Sequence, residues 1–227
     1  MLDSMTLNAR IIFKLAAALL LIALAHPAGA FHATLAKTES GAILRLRGDL
    51  RMGDYSRFKA ILEKETLVGL EIRSGGGYLE DGLDIARIVR DKGLVVYASR
   101  VCDSVCAFIF FAAKERYMCR TCRIGVHSVS NDRGKEDADS ARTTIQMSRL
   151  LARLGVPHSI IGKMVVTPPG GITFLTHRDL AALNVHRKNP FRRINSTASA
   201  VQSQEAKSAS TAGTEVISVT TVQAGPR

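Results

Sequence analysis

The apolar pattern of this chain changes from strand to helix three times between Ala42 and Ala112. Segments 42–48, 67–72 and 94–97 have the pattern of strands, and each is followed by residues with the 3.6-residue period of a helix. Leu94–Tyr97 is apolar throughout, which is typical of a strand buried on both faces of a sheet. Successive strand–helix–strand units form right-handed crossovers, so the sequence predicts an α/β fold.

Later elements follow from the same patterns and from capping residues. A further strand is predicted at Arg123–Val126, and helices are predicted at 138–154, 158–164 and 177–183. Asp54 is expected to cap the first helix through its side-chain oxygen. Thr176 and Asp179 have the spacing of a capping box at the start of the last helix.

Three turns fall at the carboxyl ends of predicted strands. A glycine loop, Ser74–Gly77, follows the second strand, Ser104 follows the third, and His127 ends the strand Arg123–Val126. In sheets of this kind ligands bind beyond the carboxyl ends of the strands. We therefore expect the three turns to belong to a single site.

Ser104 is the candidate nucleophile of that site. A serine hydroxyl attacks a carbonyl when a base accepts its proton and aimed backbone N–H groups stabilise the oxyanion. His127 is the candidate base, and the candidate oxyanion donors are Val105, at a helix start, and Gly76 or Gly77. Taken singly, these features are also explained by a helix cap, a plain turn and a core histidine. Their joint placement favours catalysis, because none of the other domain histidines ends a central strand: His32, His158, His177 and His186.

Three motifs, in this order, resemble those of the proteolytic subunit of Clp protease and its exported relatives. They are Ser74-Gly75-Gly76-Gly77, Cys102-Asp103-Ser104-Val105-Cys106-Ala107 and Ile124-Gly125-Val126-His127. The resemblance extends over residues 43–185 and implies one domain with a crotonase-like, spiral α/β fold. It also implies that Ser104 is the nucleophile, His127 the general base, and Gly76 with Val105 the oxyanion donors.

The acid of the expected triad is not assigned by this resemblance. It would fall near Thr167 and Pro168, but no Asp or Glu occurs between residues 163 and 178. The alternatives for orienting His127 are a backbone carbonyl, a water molecule or one of three carboxylates, Asp132, Asp137 and Asp139. Asp103 is a second departure, because a carboxylate beside the nucleophile opposes the development of negative charge.

The first 30 residues have the three parts of a secretory signal. Arg10 and Lys14 precede the apolar stretch 15–25, and Ala28-Gly29-Ala30 predicts cleavage after Ala30. An uncleaved membrane anchor is the alternative. No other stretch is long and apolar enough to span a bilayer, so we expect a periplasmic or secreted protein.

Residues 31–186 are predicted to form one domain, and residues 187–227 a disordered tail. The tail is rich in Ser, Thr, Ala and Gln and has no helical period. The formal net charge of the chain is +11. We expect the basic pairs Arg187-Lys188 and Arg192-Arg193 to be solvated or to make weak contacts with anionic surfaces, and we expect no specific nucleic-acid partner.

The four cysteines form two close pairs, Cys102 with Cys106 and Cys119 with Cys122. In an exported chain such pairs are expected to form disulfides, and the first would fix the turn that carries Ser104. A redox role for Cys119-x-x-Cys122 and a four-cysteine zinc site are the alternatives. The predicted reaction needs neither a metal nor another cofactor.

The sequence therefore predicts an exported serine hydrolase with a polypeptide substrate and Ser104 and His127 as the catalytic pair. Members of the family that the chain resembles assemble as rings or stacks, so a homo-oligomer is expected. One alternative is a catalytically silent scaffold, which the missing acid and Asp103 favour. An acyl-CoA enzyme is the other, and export disfavours it because CoA is an intracellular cofactor.

Overall fold

The computed structural model describes residues 31–38 and 41–191. The predicted signal segment and residues 192–227 of the predicted tail lie outside the described residues. The strands are β1 (His32–Thr38), β2 (Gly41–Arg47), β3 (Leu67–Ser74), β4 (Val95–Asp103), β5 (Glu115–Met118), β6 (Arg123–Val126) and β7 (Thr173–Phe174). The helices are α1 (Asp54–Leu62), α2 (Leu79–Asp91), α3 (Val105–Ala112), α4 (Ala138–Arg153), α5 (His158–Val166) and α6 (His177–Ala182).

The strands form one sheet in the order β1-β2-β3-β4-β6-β7, with β5 paired to β4 outside this path. The pairs from β2 to β6 are parallel, whereas β1 and β7 run antiparallel to their neighbours at the two ends. Helical crossovers connect the parallel strands, as the alternation of strand and helix patterns predicts. The predicted α/β architecture is confirmed.

β4 changes its pairing partner along its length. Residues Val95–Ala98 pair with β5, and Val101–Asp103 pair with β6. Because β6 borders the carboxyl end of β4, the residues that follow these two strands become neighbours. This pairing positions Ser104 and His127 at one edge of the sheet.

β1, β5 and β7 are strands that the sequence pattern did not predict. β1 begins at His32, and it pairs with β2 from His32↔Arg47 to Thr38↔Gly41. Most of its side chains are exposed, so β1 lacks the alternation that marks a half-buried strand. β7 has two residues and is too short to carry a pattern.

The two predicted helix caps have different outcomes. Asp54 does not cap α1: Gly53 is the N-cap residue, and the Asp54 carboxylate accepts the N–H of Arg51 at 2.7 Å. That hydrogen bond closes the turn before the helix. The capping box of Thr176 and Asp179 is confirmed, with both reciprocal hydrogen bonds formed at the start of α6.

α3 is the central helix, and all of its side chains are buried. It packs closely on α2 at Gly82, where a Cβ atom would lie 2.2 Å from Cγ2 of Val105. Burial of an apolar helix against the sheet is the main stabilising contribution expected for such a core. The start of α3, which follows Ser104 directly, is therefore held rigidly.

The folded chain continues beyond the predicted domain boundary at His186. The Phe191 ring is buried in a small cluster with Ile43, Tyr97 and Tyr117, and it meets the Tyr97 ring edge-on at 6.4 Å between centroids. Residues 187–191 are thus packed on the domain. Among the described residues, no helix combines the length and apolar character required to cross a bilayer.

Candidate active site

The three predicted turns meet at the carboxyl ends of β3, β4 and β6. In the sheet register Ser74 lies beside Cys102, and Asp103 lies beside Gly125. The ladder continues into the turn, because the Ser104 N–H donates to the Gly125 carbonyl at 3.0 Å. A cavity of about 830 Å³ at this edge is lined, among others, by Gly77, Ser104, Val105 and His127.

Ser104 occupies a strained strand-to-helix turn. It is the N-cap residue of α3, with φ 58° and ψ −130°. Within residues 31–38 and 41–191 the only other non-glycine residue with a positive φ is Asn184. Such a conformation costs about 1–3 kcal/mol and is concentrated at functional sites, where the surrounding structure enforces it. Ser104 therefore has the backbone conformation of a nucleophile turn.

A disulfide spans this turn. Cys102 and Cys106 are bonded, with their Cα atoms 5.1 Å apart, and both side chains are fully buried. The bond joins the end of β4 to the first turn of α3 across Ser104. It is the predicted pairing, and it opposes relaxation of the strained residue.

Gly76 approaches the candidate nucleophile so closely that a side chain there is excluded. Its φ is 119°, and a Cβ atom would lie 2.6 Å from Cβ and 3.1 Å from Oγ of Ser104. The Gly76 N–H donates to the Ser74 hydroxyl at 3.0 Å, so it is not free for an oxyanion. The role of Gly76 in this structure is therefore to leave room beside Ser104.

Gly77 and Val105 are better placed as oxyanion donors. Both residues line the cavity, and among the described residues neither N–H group donates to a protein acceptor. The Val105 N–H belongs to the first turn of α3, where backbone donors lack intrahelical partners and the helix dipole favours negative charge. The structure thus differs from the assignment to Gly76 that the resemblance implied.

The glycine loop is held by the segment after β2, which the sequence did not connect with the site. The Asp49 carboxylate accepts the N–H of Gly75 at 2.7 Å. Leu50 donates its N–H to the Gly76 carbonyl at 2.8 Å and accepts the Tyr78 N–H at 2.9 Å. An aspartate in the turn after a strand was visible in the sequence, but its partner across the sheet was not.

His127 lies half-buried directly after β6. Its Nδ1 is 2.6 Å from the carbonyl oxygen of Ser128. A carbonyl oxygen only accepts hydrogen bonds, so Nδ1 is the donor in this contact, and in the corresponding neutral tautomer Nε2 is the acceptor. Among the alternatives for orienting His127, the structure has a backbone carbonyl.

The three candidate carboxylates line the cavity but do not bond to the imidazole. Asp137 caps α4 by accepting the Ser140 N–H at 2.9 Å, and this hydrogen bond is the main cause that lowers the pKa of Asp137. Asp139 pairs with Arg142 at 2.5 Å. Asp132 forms no hydrogen bond or ion pair with the described residues.

The region where the resemblance placed the acid contributes a backbone group instead. The Thr167 carbonyl accepts the Ser128 N–H at 2.8 Å. The nearest acid that follows in the sequence, Asp179, is bound by Lys163 and by the Thr176 hydroxyl. No carboxylate from this region reaches His127.

Asp103 points its carboxylate towards β6. A Cβ atom on Gly125 would lie 2.4 Å from Asp103 Oδ1, so the glycine provides the space for the carboxylate. Oδ1 is shielded from solvent and has no hydrogen-bond partner among the described residues. Burial is the main cause that raises the pKa of Asp103, and the charge of Asp49 raises it further. The charges of Arg123 and His127 and the Gly125 N–H lower this pKa without cancelling the increase. Asp103 thus places a partly buried carboxylate directly before Ser104, the candidate nucleophile.

The second cysteine pair lies between β5 and β6. Cys119 and Cys122 form a disulfide with Cα atoms 5.1 Å apart. With both pairs oxidised, no cysteine thiolate remains to bind zinc, and residues 31–38 and 41–191 contain no group of three or more metal-ligating side chains. The disulfides therefore match the first of the three interpretations of the cysteines.

Comparison with solved structures identifies the fold. Two structures of ClpP1 from Listeria monocytogenes, one of them a point mutant, each have a TM-score of 0.50, with 18% and 20% sequence identity, over 65% of this chain and 92% of the other. A mutant of the 1510-N membrane-bound stomatin-specific protease has a TM-score of 0.47 and 16% identity, over 63% of this chain and 78% of the other. No protein-family model and no curated protein matches the sequence.

The similarity to ClpP1 covers nearly the whole of that protein but is low in sequence. At such identities it shows the fold and leaves the activity open. The predicted Clp protease-like α/β fold is confirmed by this similarity.

Proposed function

We propose that this chain is an exported serine peptidase in which Ser104 is the nucleophile and His127 is the general base. The observation that carries the proposal is the strained, disulfide-spanned turn at Ser104, which shares one cavity with His127 and with the N–H groups of Gly77 and Val105. A strained non-glycine residue at a strand-to-helix junction has no evident structural benefit here. Its position fits nucleophilic catalysis.

The reaction would follow the usual course of serine acyl transfer. His127 Nε2 accepts the hydroxyl proton as Ser104 Oγ bonds to the carbonyl carbon, and the carbonyl electron pair moves to oxygen. Gly77 and Val105 donate hydrogen bonds to that oxyanion. Collapse of the tetrahedral intermediate breaks the C–N bond, and the His127 imidazolium protonates the leaving amine. Water then attacks the acyl ester with His127 again accepting the proton, which releases the acid and restores Ser104.

A polypeptide substrate fits the size and lining of the cavity. Its volume of about 830 Å³ lies within the range of sites that enclose an organic ligand. Leu79, Phe108 and Val129 offer apolar surface beside the catalytic pair. This combination suits an apolar side chain next to the scissile amide.

His127 Nδ1 donates to an uncharged acceptor, the Ser128 carbonyl, and this sets an expectation for the rate of turnover. A carbonyl stabilises the imidazolium less than a carboxylate does, because hydrogen bonds between charged partners are about twice as strong as neutral ones. We therefore expect turnover below that of a serine hydrolase with a complete triad. The carbonyl nevertheless favours the tautomer with the proton on Nδ1, which leaves Nε2 to accept the proton of Ser104.

Asp103 favours a second candidate function, a catalytically silent scaffold. A shielded carboxylate on the residue next to Ser104 disfavours the development of negative charge nearby. In that case the cavity would bind polypeptide without cleaving it. Active-site labelling separates the two functions directly.

Export and self-association belong to the same proposal. Two disulfides are expected in an oxidising compartment such as the periplasm or the extracellular space. Three apolar side chains in or close in sequence to the edge strand β7 are exposed, namely Val166, Ile172 and Phe174. Such a patch supports assembly into a homo-oligomer, which the mass of the protein in solution would test.

The test of the catalytic proposal is labelling by a fluorophosphonate probe. We expect the wild-type protein and the surface control Ser148→Ala to be labelled, and Ser104→Ala to remain unlabelled with an unchanged melting temperature. A folded wild-type protein that is not labelled would favour the scaffold. Hydrolysis of acyl-CoA thioesters without any peptide hydrolysis would instead revive the acyl-CoA alternative.

A further inference from the structure

The carbonyl that orients His127 belongs to a peptide unit whose two polar groups are both bound. The Ser128 C=O accepts from His127 Nδ1, and the N–H of the same peptide, on Val129, donates to Thr144 Oγ1 at 2.9 Å. The Thr144 hydroxyl donates in turn to the Ser140 carbonyl of α4 at 3.0 Å. A continuous chain of hydrogen bonds therefore connects the imidazole with α4.

We propose that Thr144 is a positioning residue for His127 and acts through the peptide unit between Ser128 and Val129. The inference rests on the proposed function of His127 as general base. Thr144 is only 5% exposed and is not among the residues that line the cavity. It touches no reacting group, so its effect passes through the peptide.

Two physical effects connect Thr144 with the base. An acceptor on the Val129 N–H polarises the peptide and makes its C=O a stronger acceptor for Nδ1–H. The same hydrogen bond fixes the plane of the peptide and therefore the direction of the Ser128 carbonyl. Both effects keep the proton on Nδ1 and direct Nε2 towards the substrate.

This series of hydrogen bonds orients the His127 imidazole, which is the task that the acid of a triad would otherwise perform. Ser128 is also held by its own N–H, which donates to the Thr167 carbonyl at 2.8 Å. The backbone of Ser128 is thus bound from two sides, by α4 and by the segment after α5. Thr144 is the side-chain component of this arrangement, so it can be removed by substitution.

A purely structural role for Thr144 makes a different prediction. In that case its hydroxyl would only satisfy the buried N–H of Val129, and its loss would reduce stability without changing the imidazole. Three variants on one helix distinguish the roles. Thr144→Val removes the hydroxyl at nearly constant volume, Thr144→Ser keeps it, and Ser148→Ala removes an exposed hydroxyl that bonds to Ile145 O at 2.7 Å.

The first readout is the rate of labelling by the fluorophosphonate probe. We expect Thr144→Val to react about tenfold more slowly, the factor for loss of one favourable hydrogen bond. Thr144→Ser should retain the rate within about threefold, and Ser148→Ala should match the wild type. Should Thr144→Val not fold, Thr144→Ala, which removes both γ groups without strain, is expected to show the same loss. A folded variant without the hydroxyl that labels at the wild-type rate overturns the proposal.

The second readout does not depend on activity. The Nδ1–H proton of His127 is expected to give a downfield NMR resonance, assigned by its absence in His127→Ala. In Thr144→Val this resonance should shift upfield or broaden, while Thr144→Ser retains it. If the wild-type protein is not labelled but the resonance responds, the function fails and the coupling of Thr144 to the imidazole stands. An unchanged resonance in Thr144→Val overturns the coupling whatever the activity.

Discussion

The two side chains of the proposed catalytic pair, Ser104 and His127, are held at the same sheet edge by different means. Ser104 is constrained by its immediate neighbours in sequence, through the Cys102–Cys106 disulfide and through α3, which begins at the next residue. The His127 imidazole contacts the carbonyl of the next residue, Ser128, and the peptide groups on either side of Ser128 are bound by Thr167 after α5 and by Thr144 of α4. The constraint at Ser104 is covalent, whereas His127 contacts a backbone segment that is held by noncovalent bonds to other elements.

This difference has a physical basis. A residue with a positive φ stores strain, and a covalent bond across the turn resists its release. The backbone of His127 does not have a positive φ, so its imidazole needs only a direction, which hydrogen bonds of modest strength supply. We therefore expect the conformation of the turn at Ser104 to depend on the oxidation state of Cys102 and Cys106. The orientation of His127 is expected to depend on the packing of α4.

Removing the base should have the largest effect. We expect His127→Ala to lower the labelling rate by about a thousandfold or more, since without a base the serine hydroxyl stays protonated. The melting temperature should change little, because the ring is half-buried at the rim of the cavity. His158→Ala, an exposed histidine at the start of α5, is the matched control. A labelling rate unaffected by loss of His127 would assign the base to another group.

The two disulfides provide the sharpest comparison of local constraints. Both join cysteines three or four residues apart, so removing either should cost a similar amount of unfolding free energy, about 2 kcal/mol. We expect Cys102→Ala/Cys106→Ala to reduce labelling about a hundredfold, because the turn can then relax and misplace Ser104. Cys119→Ala/Cys122→Ala should leave labelling unchanged. Equal losses of labelling in both variants would show that the lower stability of the fold, and not the conformation of the turn at Ser104, reduces the labelling.

Asp103→Asn should have the smallest effect, seen in the pH dependence of stability. Burial is the main cause that raises the pKa of Asp103 above the ordinary value of 3.8. A raised pKa in the folded state means that this carboxyl stabilises the fold fully only below pH 3.8, and that the contribution is lost as pH rises through the folded-state pKa. The side-chain amide of the Asp103→Asn variant does not ionise, so it makes no such pH-dependent contribution.

We therefore expect the melting temperature of Asp103→Asn, relative to the wild type, to increase as pH rises from about 4 to 7. Thermal unfolding at several pH values measures this difference. Asp84→Asn, an ion-paired residue on α2, has the same change in charge and should show no such rise. A difference that stays constant with pH would mean that Asp103 is ionised at no cost in the folded protein.

Sequence patterns predicted the alternation of strands and helices from β2 to α3, the glycine loop, the junction at Ser104 and the cysteine pairs. All of these depend on residues that are close together in the chain, so periodicity, glycine content and spacing report them. The capping box at Thr176 is predictable for the same reason. Strands without an apolar pattern, such as β1 and β7, were missed.

How the site is completed depends on contacts between segments that are distant in sequence. The pairing of β6 with the carboxyl end of β4 brings His127 and Ser104 to one cavity, and His127 Nδ1 contacts the Ser128 carbonyl where an acid was expected. The proposal of Gly77 and not Gly76 as an oxyanion donor rests on the hydrogen bond that the Gly76 N–H donates to the Ser74 hydroxyl. Each of these depends on which backbone groups meet and which remain free after folding, and a backbone group has the same chemistry at every position of a sequence.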